Sequence, residues 1–258
     1  MLVALDVAGP WIKYEELGDF AFILAHEWTR KTYRDHYLQR RDKSFAMVDH
    51  GVYELTNPVE FKQYTDVIKD VLQHYKAVVY VLPDILRDPR ETERVAETFL
   101  TWWSSQISSA EPMFVCQTVE LSRCIDFCRK RHVDWVGLPI WMDREVKDVR
   151  VLMSTTLAQR GLKVHLLGLD RYFEVASARY ATSVDTSLPL TLAKNGVYVI
   201  DPMWSYRLPR ISWTDPVPSN DELVKTNIEM LKQMARNQIV VRVAPTDEED
   251  DDAESTVM

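Results

Sequence analysis

Short apolar, β-branched runs recur along the chain, each broken by Gly, Pro, Asp or Asn and followed by a longer stretch with helical spacing. The runs at 2–7, 45–48, 77–82, 113–116, 134–136 and 163–167 read as strands, as do the stretch that ends in Asp185 and the VYVI run at 197–200. Residues 58–74, 88–106, 118–131, 144–160, 172–179 and 220–236 read as helices. Two of these begin with Asn57-Pro58 and Asp88-Pro89, a capping side chain directly before a proline at the first helical position. Residues 20–28 also read as helical, from the spacing of Phe22, Ile23, Ala25 and Glu27.

Strand and helix signals thus alternate some eight times with connections of a few residues. That order predicts parallel βαβ units, and eight of them predict closure into a single (β/α)8 TIM-type barrel over residues 1–243. The remaining residues, 244–258, contain DEEDDDAE and no aromatic side chain, and read as a disordered acidic tail.

Charge changes the picture once the tail is set apart. The net charge is −8, but seven of the 39 acids lie in residues 247–254; the rest of the chain has 32 acids against 31 bases. A near-neutral body would bind nucleic acid only through local basic patches. Residues 30–43, RKTYRDHYLQRRDK, form one such segment, with Tyr33, His36 and Tyr37 among six bases; a solvated helical surface explains it equally.

No apolar run is long enough to span a bilayer, and the N-terminal residues lack the basic start of a signal peptide, so a cytoplasmic protein is expected. Cys116, Cys124 and Cys128 show no disulfide spacing. Cys124, Cys128 and His132 would span two helical turns, ~12 Å of rise, too far for one zinc. No GxGxxG or Walker-type loop is present.

In a barrel the polar residues at strand ends share one mouth. Here they are Asp49, Asp84, Gln117, Gly137, Gly168, Asp185 and Asp201. Asp185 alone reads as readily as an Asx-turn residue. Several carboxylates in one concave site suit two-carboxylate chemistry at an anomeric carbon, or Mg²⁺ chelation in a barrel hydrolase. Residue types leave both open.

Three stretches together resemble the tRNA-guanine transglycosylase superfamily, and within it the shorter phage-encoded enzymes that act on DNA. Asp49-His50-Gly51-Val52-Tyr53-Glu54 resembles the family's Asp-Ser-Gly-Gly-aromatic-Gln motif, and Val164-His165-Leu166-Leu167-Gly168 its His-Tyr-Leu-Met-Gly stretch. Val184-Asp185-Thr186-Ser187-Leu188-Pro189, followed by Lys194-Asn195-Gly196, resembles its Phe-Asp-Cys-Val-Leu-Pro and Arg-Asn-Gly pair.

The resemblance implies a barrel pentosyltransferase in which Asp185 attacks the sugar C1′ and displaces guanine, with Asp49 as general acid/base. It implies that Tyr53 stacks on the purine, that Asp84 and Gln117 recognise its edge, that Gly137 contacts it through backbone, and that Leu167 and Gly168 wall the pocket. No metal or redox cofactor is implied.

The family's tRNA enzymes carry a Cys-x-Cys-x-x-Cys…His zinc site after the nucleophile strand, whereas the last cysteine here is Cys128. That departure points to DNA, with guanine exchanged for a 7-deazaguanine such as 7-cyano-7-deazaguanine in the host cytoplasm of a bacteriophage. A guanine in duplex DNA must be flipped out to be reached. Arg40, Arg41, Lys194 and Arg207 are the expected nucleic-acid contacts, the last beside Trp204 and Tyr206, and an accessory protein for DNA grip stays open. The same exchange on tRNA, and a non-catalytic nucleobase-binding or nucleic-acid-binding barrel, are the alternatives.

Overall fold

A computed structural model describes residues 1–51, 59–169, 171–172, 174–175, 178–199, 214–217 and 220–236. Eight strands form one parallel sheet: β1 Leu2–Leu5, β2 Ala21–Leu24, β3 Phe45–Asp49, β4 Ala77–Val81, β5 Glu111–Val115, β6 Trp135–Pro139, β7 Lys163–Leu167 and β8 Ser183–Thr186. Their order, β1-β8-β7-β6-β5-β4-β3-β2, is that of a (β/α)8 barrel, with β1 and β2 facing each other across the closing seam.

Helices α1 Lys31–Gln39, α2 Phe61–Leu72, α3 Pro89–Trp102, α4 Leu121–Arg131, α5 Trp141–Glu145, α6 Val149–Gln159, α7 Leu188–Lys194 and α8 Asp221–Ala235 connect or follow the strands. A 3-10 segment, Gly9–Leu17, joins β1 to β2. Asp88 caps α3 as its sequence suggests: its Oδ1 accepts from the backbone N–H groups of Arg90 (3.1 Å) and Glu91 (3.0 Å).

Side chains that alternate inward along the strands fill the barrel. Phe22 stacks on His165 at 5.9 Å, and Phe45 on Trp135 at 6.1 Å. Residues paired across parallel strands point to the same side, so Asp49, in phase with Phe45 and Met47, also points inward.

The seam is closed by one backbone hydrogen bond at its base and by side chains, rather than by a ladder. At its base, Asp19 N–H donates to Val3 O at 2.6 Å, and Val3 N–H donates to Asp19 Oδ2 at 3.0 Å. Higher up, the β2 groups that face β1 are met by two tyrosines of α1. Tyr37 donates its hydroxyl to Phe22 O at 2.7 Å, and Tyr33 accepts from Leu24 N–H at 2.9 Å. Lys232 of α8 and Arg236 at its C-cap clamp Asp19 at 3.0 and 2.8 Å.

Three sequence expectations are corrected by the structure. Residues 20–28 do not form a helix: Ala21–Leu24 is four consecutive buried positions on the strand beside the seam, a run too short for periodicity to tell strand from helix. Residues 197–199 form no strand, and Ile200 lies outside the described residues. Asn227 of α8 takes the place of a ladder there, accepting from Val199 N–H (2.8 Å) and donating to Val197 O (2.9 Å). Asp185 is therefore on the eighth strand, not the seventh, and Asp49 on the third. The single helix expected over 144–160 is also divided, with Asp148 left-handed (φ 59°) before α6.

Candidate active site at the barrel mouth

Asp185 lies at the C-terminal end of β8 and is 6% exposed. Its Oδ1 accepts two hydrogen bonds, from His165 Nε2 at 3.0 Å and from Gly168 N–H at 3.1 Å. Among the described residues nothing hydrogen-bonds to Oδ2, so one carboxylate oxygen is held and the other faces the mouth. Beneath it the fully buried His165 meets Ser183 Oγ through Nδ1 at 2.8 Å. A serine, a histidine and an aspartate so joined suggest a serine hydrolase, but the order is inverted: Ser183 is sealed inside the barrel and Asp185 is the end a substrate can reach.

Gly168, expected to wall the pocket, meets Asp185 through its backbone. Its φ of 73° belongs to the left-handed region, and this turn aims its N–H at Asp185. The turn is held from behind by Arg150 of α6, buried together with Asp143 and Glu174. Arg150 donates to Asp143 at 2.6 Å, to Glu174, and to the carbonyls of Gly168 (2.9 Å), Leu167 (3.3 Å) and Leu138 (3.3 Å). Leu167 in turn lies over Gly137: a Cβ at position 137 would come within 2.9 Å of its Cδ1. The glycine of β6 thus makes room for the leucine of β7.

Asp84, beyond β4, and Gln117, beyond β5, are directly joined, Gln117 Nε2 donating to Asp84 Oδ2 at 2.6 Å. The amide orientation is fixed because Gln117 Oε1 accepts from both Arg87 N–H and Trp141 Nε1, each at 2.9 Å. Burial pushes the Asp84 carboxyl up to about 6, against the lowering effect of the Gln117 hydrogen bond. Arg87 also crosses the Trp141 ring at 5.5 Å, which places a cation on the rim beside this pair.

Asp49 is half-buried at the end of β3, its Oδ2 accepting from Gly51 N–H at 3.3 Å. It points into the barrel three strands from Asp185, on the facing side of the mouth. Its neighbour His50 turns the other way, buried against Tyr64 at 4.8 Å and bonded through Nε2 to Val59 O at 2.8 Å. Burial depresses the His50 imidazole to about 4. Asp6, at the end of β1, was not among the strand-end candidates, because the first run was read through to residue 7; its N–H reaches Thr186 O at 3.2 Å.

The expected nucleic-acid contacts are placed less favourably. Arg40 is 4% exposed; its guanidinium pairs with buried Glu15 and donates to the carbonyls of Asp42 (3.0 Å) and Gly18 (3.1 Å), which removes it from any phosphate-binding surface. Arg41 is exposed but follows α1 and precedes β3, on the face opposite the mouth. Lys194 ends α7 and pairs with Asp215 at 2.5 Å. Tyr53, Asp201 and Arg207 lie outside the described residues, as does the whole acidic tail.

His165, Ser183, Trp141 and Arg87 form part of the site without having been picked out individually; His165 was quoted only within its motif. Among the described residues no three His, Cys, Asp or Glu side chains gather as metal ligands, and no helix is long and apolar enough to cross a membrane.

No protein-family model and no curated relative matches the chain. Similar solved structures include QR15, an aldolase, with 14% identity and a TM-score of 0.47 over 68% of this chain and 80% of that one. Others are a protein assigned as a deoxyribose-phosphate aldolase from Coccidioides immitis (12%, TM-score 0.49, 75% and 81%) and an L-ribulose 3-epimerase (9%, 0.41, 84% and 94%).

Proposed function

We propose that the protein is a DNA-guanine transglycosylase that exchanges guanine for a 7-deazaguanine base. The observation that carries this reading is Asp185: a carboxylate at a barrel mouth with one oxygen held by two N–H donors and the other without a hydrogen bond among the described residues. A carboxylate so held is prepared to attack carbon rather than to bind a cation.

In the first displacement, Asp185 Oδ2 forms a bond to C1′ while the C1′–N9 bond of guanine breaks. The electron pair passes to N9, and Asp49 supplies the proton that the base takes up. The incoming 7-deazaguanine then gives its N9 proton back to Asp49, attacks C1′ and releases the Asp185 carboxylate. The exchange is redox-neutral, and atoms and charge balance over the two steps.

The Asp84–Gln117 pair suits the edge of the base. Ionised Asp84 accepts from the N1–H and N2–H groups of a guanine, and the remaining Gln117 Nε2 hydrogen donates to its O6. Because Gln117 Oε1 already accepts from two N–H groups, the pair presents a fixed acceptor–donor pattern. Arg87, which pairs with Glu145 at 3.5 Å and has exposed Leu86 next to it, offers a cation that would exchange this exposed partner for a phosphate, and an apolar side chain, on the rim where a flipped strand would leave the pocket.

The test is mass analysis of nucleosides from DNA, and separately from tRNA, incubated with the protein and candidate deazaguanine bases. Incorporation into DNA is expected, with a denaturation-resistant protein–DNA adduct that Asp185→Ala abolishes. Incorporation into tRNA alone would replace the substrate; full exchange by Asp185→Asn would remove the nucleophile.

A further inference from the structure

We infer that His165 is a positioning residue for Asp185: with the Gly168 N–H it binds the non-attacking oxygen, and it governs how readily the sugar–enzyme bond forms and breaks. The inference rests on the transglycosylase reading and adds a role for a side chain at the floor of the mouth.

Three observations lead to it. His165 Nε2 is 3.0 Å from Asp185 Oδ1, and a carboxylate oxygen facing an imidazole nitrogen can only accept, so the proton lies on Nε2. Nδ1 faces the Ser183 hydroxyl at 2.8 Å, which donates or accepts as needed and so keeps Nε2–H pointed at Asp185. The ring itself is fixed, stacked on Phe22 at 5.9 Å and met edge-on by Phe20 at 6.4 Å, with no exposed surface. Apolar packing would have filled this place without a polar atom; instead a buried donor is aimed at one oxygen.

The consequence differs from simple orientation. In the free protein Oδ1 shares the negative charge; in the covalent adduct Oδ2 is an ester oxygen and Oδ1 a carbonyl oxygen without that charge. Donors on Oδ1 therefore favour the carboxylate over the ester, and they ease departure of Asp185 in the second displacement. Removing one donor shifts the balance toward the adduct. The ratio of adduct breakdown to adduct formation should fall about 10- to 100-fold, the effect of one hydrogen bond to a charged group.

The experiment measures both rates in the full chain, by trapping the protein–DNA adduct in single turnovers for wild type, His165→Asn and His165→Gln. Gln places an amide N–H near the position of Nε2; Asn is too short to do so. His165→Asn should accumulate adduct through slowed breakdown, and His165→Gln should return the ratio to within a few-fold of wild type. Histidine ¹⁵N NMR of the wild type supplies a readout independent of activity, with the His165 proton expected on Nε2. A ratio unchanged in His165→Asn, a ratio equally disturbed in both variants, or a proton found on Nδ1 alone overturns the role of His165 while leaving the transglycosylase reading intact. If wild type shows the Nε2 proton yet forms no adduct, the transglycosylase reading fails and the positioning role of His165 in that reaction fails with it.

Discussion

Gln117 and Asp84, 33 residues apart in the chain, share a 2.6 Å hydrogen bond at the mouth of the barrel, and Trp141 at the start of α5 and Arg87 on the same connection as Asp84 hold the glutamine in place. Because Oε1 is already engaged, the side chain cannot rotate its amide without stranding two N–H donors. Gln117→Ala should therefore weaken binding of a free deazaguanine about 10- to 100-fold, through loss of one donor and of the restraint on Asp84. Calorimetric titration with the base alone measures this, and an unchanged affinity would detach Gln117 from base recognition.

Asp84 and His50 oppose each other in acid. Asp84 rises from 3.8 to about 6 on folding, so between these values the folded chain keeps a proton the unfolded chain has lost, and stability falls as pH rises. His50 drops from 6.5 to about 4; here the unfolded chain binds the extra proton, and stability falls as pH decreases through that window. Each shift corresponds to about 3 kcal/mol, of opposite sign, so the two nearly cancel between pH 4 and 6. Asp84→Asn should expose the His50 slope: a variant more stable than wild type at pH 7, losing about 3 kcal/mol relative to that gain as pH falls to 4. Urea unfolding across this range tests it. Base binding by wild type should weaken below pH 6, where Asp84 takes up its proton.

Gly137 and Leu167 can be separated by a double-mutant cycle. A methyl group at 137 would meet the tip of a flexible side chain, Leu167 Cδ1 at 2.9 Å, so Gly137→Ala should push Leu167 into the mouth rather than unfold the barrel. The expected cost is about 1–3 kcal/mol in stability together with weakened base binding. In a Leu167→Ala background the same change should be nearly neutral, a coupling of 1 kcal/mol or more. Additive effects would mean that the two positions do not share the space.

The fold was legible because eight βα alternations survive errors in single elements. Two such errors offset each other: the run at 20–28 was counted as helix and the one at 197–200 as strand, so the total of eight stood although the membership changed. Neither could be resolved locally, since four buried residues carry no period and VYVI has a strand's composition while Asn227, 28 residues from Val199, supplies its hydrogen bonds. The placement of Asp84, Gln117, Gly168 and Asp185 at the mouth was legible because strand ends mark themselves by the residue that breaks the run. His165 sits in mid-strand among apolar residues, where nothing local separates a core histidine from one aimed at a carboxylate. Arg40 erred the other way, since a basic segment gives no sign of which guanidinium will meet a buried glutamate.

The seam between β1 and β2 gives a test of how the barrel stays closed. Leu24 N–H has Tyr33 Oη as its acceptor, and Phe22 O has Tyr37 Oη as its donor, in a place where other strands would supply backbone. Both hydroxyls are fully desolvated, which drives their ionisation well above the ordinary range and keeps them neutral. Tyr33→Phe leaves a buried N–H with nothing to bond, at a cost of about 1–3 kcal/mol, whereas an exposed tyrosine such as Tyr180 should tolerate the same change within ~0.5 kcal/mol. Amide exchange at Leu24 locates the damage: in wild type it should be as slow as in the central strands, and in Tyr33→Phe it should quicken before that of β5 or β6. If Leu24 exchanges fast in the wild type already, the seam is open without the tyrosines, and the barrel is held there by Asp19 and α8 alone.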